Sequence, residues 1–160
     1  MTKVYNAPET YPKDTDDIKI FLGGSIEMGK AEPWQDRLAE ELSEENDVMV
    51  LNPRRPDWDS TWKQDPTPGT KFREQVDWEL AAQDDADIIV YYFDPKTTSP
   101  ITLLELGMYA VMHDGISKFV VVCCPKEYYR YGNVKIVCEK YGVNFVETYN
   151  ELVVAIKGEQ

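Results

Sequence analysis

The run Ala86-Asp87-Ile88-Ile89-Val90-Tyr91-Tyr92-Phe93-Asp94 decides the fold. Its centre, Ile88 to Phe93, is apolar or aromatic at every position and lies between acidic residues. β-Branched and aromatic residues suit strands. A strand that does not alternate with polar residues is buried on both faces, as in a parallel sheet covered by helices above and below. Outward from this run the same pattern recurs at Ile18–Leu22 and Val48–Leu51 on one side, and at Lys118–Cys124 and Val143–Val146 on the other.

The segments between these strands read as helices. Trp34, Leu38 and Leu42 recur at four-residue spacing, which predicts an amphipathic helix over Pro33–Ser43 with Pro33 in its first turn. Helices are also predicted over Lys71–Gln83, Pro100–His113, Asn133–Tyr141 and Tyr149–Ile156. Ser99 is the expected N-cap of the third, Gly115 its stop, and Gly142 the C-cap of the fourth. His113, at that helix end, reads as structural. Strands alternating with helices give a single-domain α/β fold, a parallel five-stranded sheet with helices on both faces. Residues 1–17 read as an irregular arm and 18–160 as the domain. Arg54–Thr70 is a long loop rich in Pro, Asp and Trp, a length that is usually functional or disordered.

Composition narrows the function. The length of 160 residues suits one core. A formal net charge of −12 argues against a nucleic-acid polymer as partner, which needs clustered cations. The apolar runs are far short of the roughly 20 residues that span a bilayer, and no signal peptide precedes them, so a cytoplasmic protein is expected. Cys123, Cys124 and Cys138 lack zinc spacing and read as reduced structural thiols, with no metal or cofactor signalled. Cys123 and Cys124 are expected on opposite faces of one strand.

Ligands of open parallel sheets bind beyond the carboxyl ends of the strands. Those ends carry Gly23-Gly24-Ser25, Asn52-Pro53-Arg54-Arg55, Asp94–Ser99 and Pro125–Asn133. The two glycines let backbone come close to a ligand, or else make a tight turn; they form neither a dinucleotide fingerprint nor a P-loop. Glu105 lies inside an otherwise apolar helix, where a carboxylate is either at an edge or buried for a reason. Gly107 in the same helix suggests that something packs closely there. Glu79 either shares a cleft with Glu105 or lies on an exposed acidic face. The single histidine, His113, stands in no Ser-His-Asp order, which argues against triad catalysis.

Four blocks, Ile20–Ile26, Gln75–Glu79, Ala86–Val90 and Ser99–Gly107, resemble the nucleoside 2-deoxyribosyltransferase superfamily, which includes 2′-deoxynucleoside 5′-phosphate N-hydrolases. The resemblance implies a flavodoxin-like sheet of order 2-1-3-4-5. It implies that Glu105, in Glu-Leu-Gly, is the nucleophile. Glu79, eight positions before Asp87, is the implied proton donor or sugar-hydroxyl anchor, with Asp77 as a substitute. Ser99 stands where the transferases tend to have Asp and the nucleotide hydrolases Ser. Phe21 stands where transferases carry Tyr, and Glu27 where many hydrolases carry Arg, a role that Arg54, Arg55 or Arg73 could take.

The implied reaction is double displacement at the anomeric carbon through a glycosyl-Glu105 ester, with transfer to another base or to water. By analogy with retaining glycosidases the two carboxyls should lie roughly 5–5.5 Å apart. Gly23, Gly24, Ser25, Ser99, Arg54, Asp77 and Asn133 complete the candidate substrate contacts, and Phe21, Trp58 or Trp62 offers a ring for the base or serves the core. The family tends to complete its sites from a neighbouring subunit, so a homo-oligomer is expected. The rivals are a non-catalytic nucleotide-binding module and, with no supporting phosphate loop, a flavodoxin-like electron carrier.

Overall fold

The computed structural model describes residues 1–26, 31–59, 61–112 and 118–159. Glu27, His113 and Gly115, and the readings attached to them, lie outside these residues. Among the described residues there are six strands and five helices: β1 (Lys3–Asn6), β2 (Ile18–Gly24), α1 (Trp34–Glu41), β3 (Val48–Asn52), α2 (Lys71–Asp85), β4 (Ile88–Tyr92), α3 (Pro100–Met112), β5 (Phe119–Cys123), α4 (Tyr131–Tyr141), β6 (Asn144–Val146) and α5 (Tyr149–Lys157).

All six strands form one parallel sheet in the order β1-β3-β2-β4-β5-β6. Its last five members reproduce the expected 2-1-3-4-5 order. The sixth strand corrects the reading of residues 1–17 as irregular. Lys3–Asn6 pairs with Met49–Asn52 at the sheet edge. Its half-exposed side chains carry no strong pattern, and its stability comes from backbone pairing with β3.

Side chains alternate across the sheet and build two cores. Phe21, Tyr91, Val120 and Cys124 face one way and pack with Ala82 of α2, Leu106 and Tyr109 of α3 and Val134 of α4. Ile20, Leu22, Val90 and Cys123 face the other way and pack with Trp34 and Leu38 of α1 and Leu152 and Ile156 of α5. The adjacent cysteines thus point to opposite faces, as expected. β3 and β4 are buried at every position, which explains their unbroken apolar runs.

Helix ends follow local chemistry. Thr70 Oγ1 accepts the Arg73 N–H at 3.1 Å, so a threonine cap ends the long loop and starts α2. Gly142 takes the left-handed C-cap conformation at φ 70°, as its position predicted. α4 begins at Tyr131, two residues earlier than the apolar spacing suggested. A Cβ added at Gly107 would meet nothing within 4 Å, and the residue is exposed, so the expected close packing is absent among the described residues. The glycine lies on the outer side of α3, facing away from the sheet.

Candidate active site

α2 and α3 cover the same face of the sheet, so Glu79 and Glu105 are not separated by it. On α2, Gln75, Glu79 and Gln83 recur every four residues and share one face. Gln75 and Gln83 are buried, and Glu79 and Glu105 are half-buried.

Each carboxylate is held by a glutamine amide. Gln75 Nε2 donates to Glu79 Oε1 at 3.0 Å and to the Pro53 carbonyl at 2.8 Å. Gln83 Nε2 donates to Glu105 Oε2, and to the Glu79 carbonyl at 3.2 Å. Tyr91, rising from β4, donates its hydroxyl to Gln83 Oε1 at 2.6 Å. The room for the Tyr91 ring comes from Gly23, its register partner on β2. A Cβ at Gly23 would lie 2.8 Å from the Tyr91 ring and 3.0 Å from that of Phe21.

Burial decides the electrostatics. Desolvation pushes Glu79 up from near 4.5 to about 7, against the lowering effect of the Gln75 bond. Desolvation first, and then the charge of Glu79, pushes Glu105 up to about 8, against the lowering effect of the Gln83 bond. The repulsion is mutual, so the two carboxyls titrate as a pair. Burial and the nearby Glu105 charge keep the Tyr91 hydroxyl protonated, so it remains a donor.

At the end of β2 the Gly23-Gly24-Ser25 segment makes the tight, closely packed turn that was one of its two readings. Gly24 has φ 144°, and a Cβ there would run into the Tyr92 carbonyl oxygen. Both glycines therefore serve strand packing. Ser25 and Ser99 are buried, and their hydroxyls bond each other. Thr97 Oγ1 lies 2.8 Å from each of them, and the Asp94 N–H donates to Ser25 Oγ at 2.9 Å. This network fastens the 94–99 loop to the end of β2. Ser99 itself takes φ 46°, a left-handed conformation that costs energy in a non-glycine residue and clusters at functional sites.

The other candidates are dispersed. Phe21 is 1% exposed and belongs to the core, which corrects its expected place against the substrate. Asp77 is exposed on another face of α2 and accepts Arg73 Nε at 2.8 Å. Asn133 is exposed in the first turn of α4. Trp58 and Trp62 stack edge to face at 5.1 Å, and Arg55 and Lys71 cover the Trp62 ring. Arg54 is half-buried just beyond β3. Gln75, Gln83 and Tyr91 were missed in the sequence. Their signal was the four-residue spacing of Gln75 and Gln83 about Glu79.

Among the described residues no group of three or more His, Cys, Asp or Glu is placed to hold a metal. No described helix is long and apolar enough to cross a membrane. A surface depression of about 460 Å³ is lined by Met1, Ser43, Glu44 and Asn46 near the amino end of β3, away from the two carboxylates.

No curated protein matches the chain at a significant level. The sequence model of the nucleoside 2-deoxyribosyltransferase like family matches residues 17–128, a stretch that contains both carboxylates and the amides that hold them. With 17–128 matched in a chain of 160 residues, the protein belongs to the nucleoside 2-deoxyribosyltransferase-like family.

Proposed function

We propose that the protein cleaves the N-glycosidic bond of a nucleoside or nucleotide through a glycosyl-Glu105 ester and transfers the sugar to another base. The observation that carries this reading is the pair itself: two desolvated carboxyls on one face, each fixed by an amide N–H. Such raised, coupled groups suit acid–base and nucleophilic work.

In the proposed reaction the pair holds one proton. Without substrate Glu105, at about 8, holds it more tightly than Glu79, at about 7, so the reacting form is the one in which substrate binding has moved it to Glu79. A Glu105 oxygen attacks C1′, and the C1′–N bond breaks with its electron pair leaving on the base. Glu79 gives its proton to the departing base, directly or after anchoring a sugar hydroxyl. The acceptor nitrogen then attacks C1′, the ester C–O bond breaks, and Glu105 regains its carboxylate. Glu79 takes back the acceptor's proton. Gln83 favours charge on Glu105 by donating to it. Gly24, Ser25 and Ser99 frame the sugar end, with their hydroxyl network holding the backbone in place. Water in place of the base would make the protein an N-hydrolase, a reading that Ser99 favours through the resemblance.

The active form is proposed to be a homo-oligomer. α3 exposes Ile101, Leu104, Met108 and Val111 as one apolar stripe, and Glu105 lies beside it. The three free cysteines are buried, which fits a reducing cytoplasm.

The test is chromatographic. The protein is incubated with nucleosides and 5′-monophosphates, with and without an acceptor base, beside Glu105→Ala. A new nucleoside formed only with acceptor, and absent in the variant, is the expected result. Free base without acceptor would assign hydrolysis. Binding of nucleotide with no Glu105-dependent product would leave a non-catalytic binding module.

A further inference from the structure

Asp84 and Asp85 close α2, and each accepts a tyrosine hydroxyl. Tyr109 of α3 donates to Asp84 Oδ1 at 2.6 Å. Tyr11, in the segment between β1 and β2, donates to Asp85 Oδ2 at 2.7 Å, and Lys13 pairs with the same oxygen. Consecutive helical residues point about 100° apart. The two bonds therefore reach α2 from different flanks, one from α3 and one from the amino-terminal segment. That segment is itself seated on α2. Trp78 Nε1 donates to the Glu9 carbonyl at 2.9 Å, and the Tyr11 and Trp78 rings meet edge to face at 6.1 Å. At the helix end Lys118, just before β5, donates Nζ to the Asp84 and Ala86 carbonyls at 2.5 and 2.6 Å. Both tyrosine rings are buried. Burial first, and then the bond to its aspartate, keeps each hydroxyl protonated and therefore a donor.

Gln83 directly precedes these anchors. Glu105 and Tyr109 are four residues apart on α3 and share a face. α3 thus meets α2 through two adjacent contacts, Gln83 Nε2 to Glu105 Oε2 and the Tyr109 hydroxyl to Asp84. The first contact alone would let α2 turn about its axis. Side-chain tips lie roughly 5–6 Å from a helix axis, so a turn of about 10° moves one by about 1 Å. A displacement of that size takes an N–H···O contact out of hydrogen-bond range.

We propose that Tyr109 and Tyr11 are positioning residues for Glu105: their hydroxyls grip Asp84 and Asp85 from two flanks, stop α2 from turning, and so fix the Gln83 amide against the carboxylate. The consequence for rate rests on the glycosidic reading above. The consequence for Glu105 itself does not. Glu79 of α2, Tyr91 of β4 and Tyr109 of α3 are the titratable groups coupled to Glu105 among the described residues.

The titration of Glu105 is followed by carbon-13 NMR on full-length protein labelled in glutamate, its signal identified by loss in Glu105→Gln. In Tyr109→Phe the ring keeps the carboxyl buried while the Gln83 donor is displaced. Glu105 should then titrate at least about half a pH unit higher than in the unmodified protein. kcat should fall by about ten- to a hundredfold with a smaller change in KM. Tyr11→Phe should move both in the same direction. Asp84→Asn, which keeps an oxygen for the Tyr109 hydroxyl, should titrate like the unmodified protein, and Asp84→Ala like Tyr109→Phe. Melting curves establish that each variant is folded; if Tyr109→Phe is not, the two Asp84 variants carry the comparison. An unmoved or lowered titration in Tyr109→Phe overturns the inference, as does Asp84→Asn behaving like Asp84→Ala. A rise confined to Tyr109→Phe overturns the part given to Tyr11. The expected titrations in a protein that cleaves no nucleoside or nucleotide uphold the inference and sink the glycosidic reading. Glu105-dependent cleavage with unmoved titrations does the reverse.

Discussion

Tyr91 donates its hydroxyl to Gln83 Oε1 across 2.6 Å, and that bond decides which end of the amide meets Glu105. With Oε1 engaged, Nε2 must face the carboxylate. Through its bond to Gln83, Tyr91 thus sets the polarity of the contact that orients Glu105. Tyr91→Phe removes this instruction and leaves Oε1 buried without its donor, at a cost of about 1–3 kcal/mol. The expected outcome is a fall in kcat of about tenfold with a smaller change in KM. Steady-state kinetics on folded Tyr91→Phe checks it, and an unchanged kcat would remove Tyr91 from the positioning role.

The carboxylate pair predicts a narrow pH optimum. The proposed reaction needs one proton on the pair. kcat/KM should rise as the first proton leaves near pH 7 and fall as the second leaves near pH 8. Glu79→Gln should abolish the falling limb. The remaining limb should move below pH 8, because the charge that helped raise Glu105 is gone. A Glu79→Gln profile that keeps both limbs would show that the second group lies elsewhere.

The same shifts have a sign for stability. Both carboxyls are raised in the folded state, so the folded protein holds these protons more tightly than the unfolded chain. This contribution is present in full below the ordinary carboxylate value of 4.5 and is lost as pH rises through about 7 to 8. Glu105→Gln removes the group that must ionise. Its melting temperature should exceed that of the unmodified protein above pH 8, by about 2–4 °C per kcal/mol gained. Calorimetric scans at pH 6 and pH 9 test this, with the advantage expected at the higher pH only.

Gly24→Ala is expected to destabilise the fold by on the order of 3 kcal/mol or more. The new Cβ would collide with the Tyr92 carbonyl oxygen and meet the Trp34 ring at 2.9 Å, at a φ of 144° that side chains resist. Backbone cannot step aside as a flexible side chain can. Urea titration would reveal the loss, and near-native stability would mean that the β2–β4 junction relaxes freely.

Leu104→Glu places a charge in the middle of the α3 stripe, at a position 63% exposed. Its effect on the isolated chain should be small. Sedimentation should show a shift towards monomer, with activity falling alongside because Glu105 borders the stripe. An unaltered sedimentation coefficient with full activity would exclude α3 as the contact surface.

The central sheet was legible because strands buried on both faces have no freedom to be polar. Ile88–Tyr92 and Val48–Leu51 could be little else. Lys3–Asn6 was hidden because an edge strand half open to solvent is specified by its partner's backbone more than by its own side chains. Glu105 was singled out by its apolar helical surroundings, whereas Glu79 was paired with it through the resemblance, since spacing alone left Glu79 on either of two faces. Gln75 and Gln83 escaped notice because a glutamine in a helix ordinarily faces water, and only the tertiary fold shows that these two are buried. Gly23 and Gly24 were noticed for the right reason, close approach, but the approaching groups are aromatic rings and a carbonyl of the protein itself.

The short pairing of β1 with β3 bears on how the molecule avoids its own kind. Val48-Met49-Val50-Leu51 is uncharged and buried at every position. Left as the outermost strand, it would offer unpaired N–H and C=O groups on an apolar ribbon, a template for other chains. Lys3–Asn6 occupies that template, and Lys3 is anchored by its 2.8 Å ion pair with Asp17. The opposite boundary of the sheet, β6, has only three residues. Both margins are short, and the few residues of β1 act as a guard against open-ended, edge-to-edge extension of the sheet by other chains.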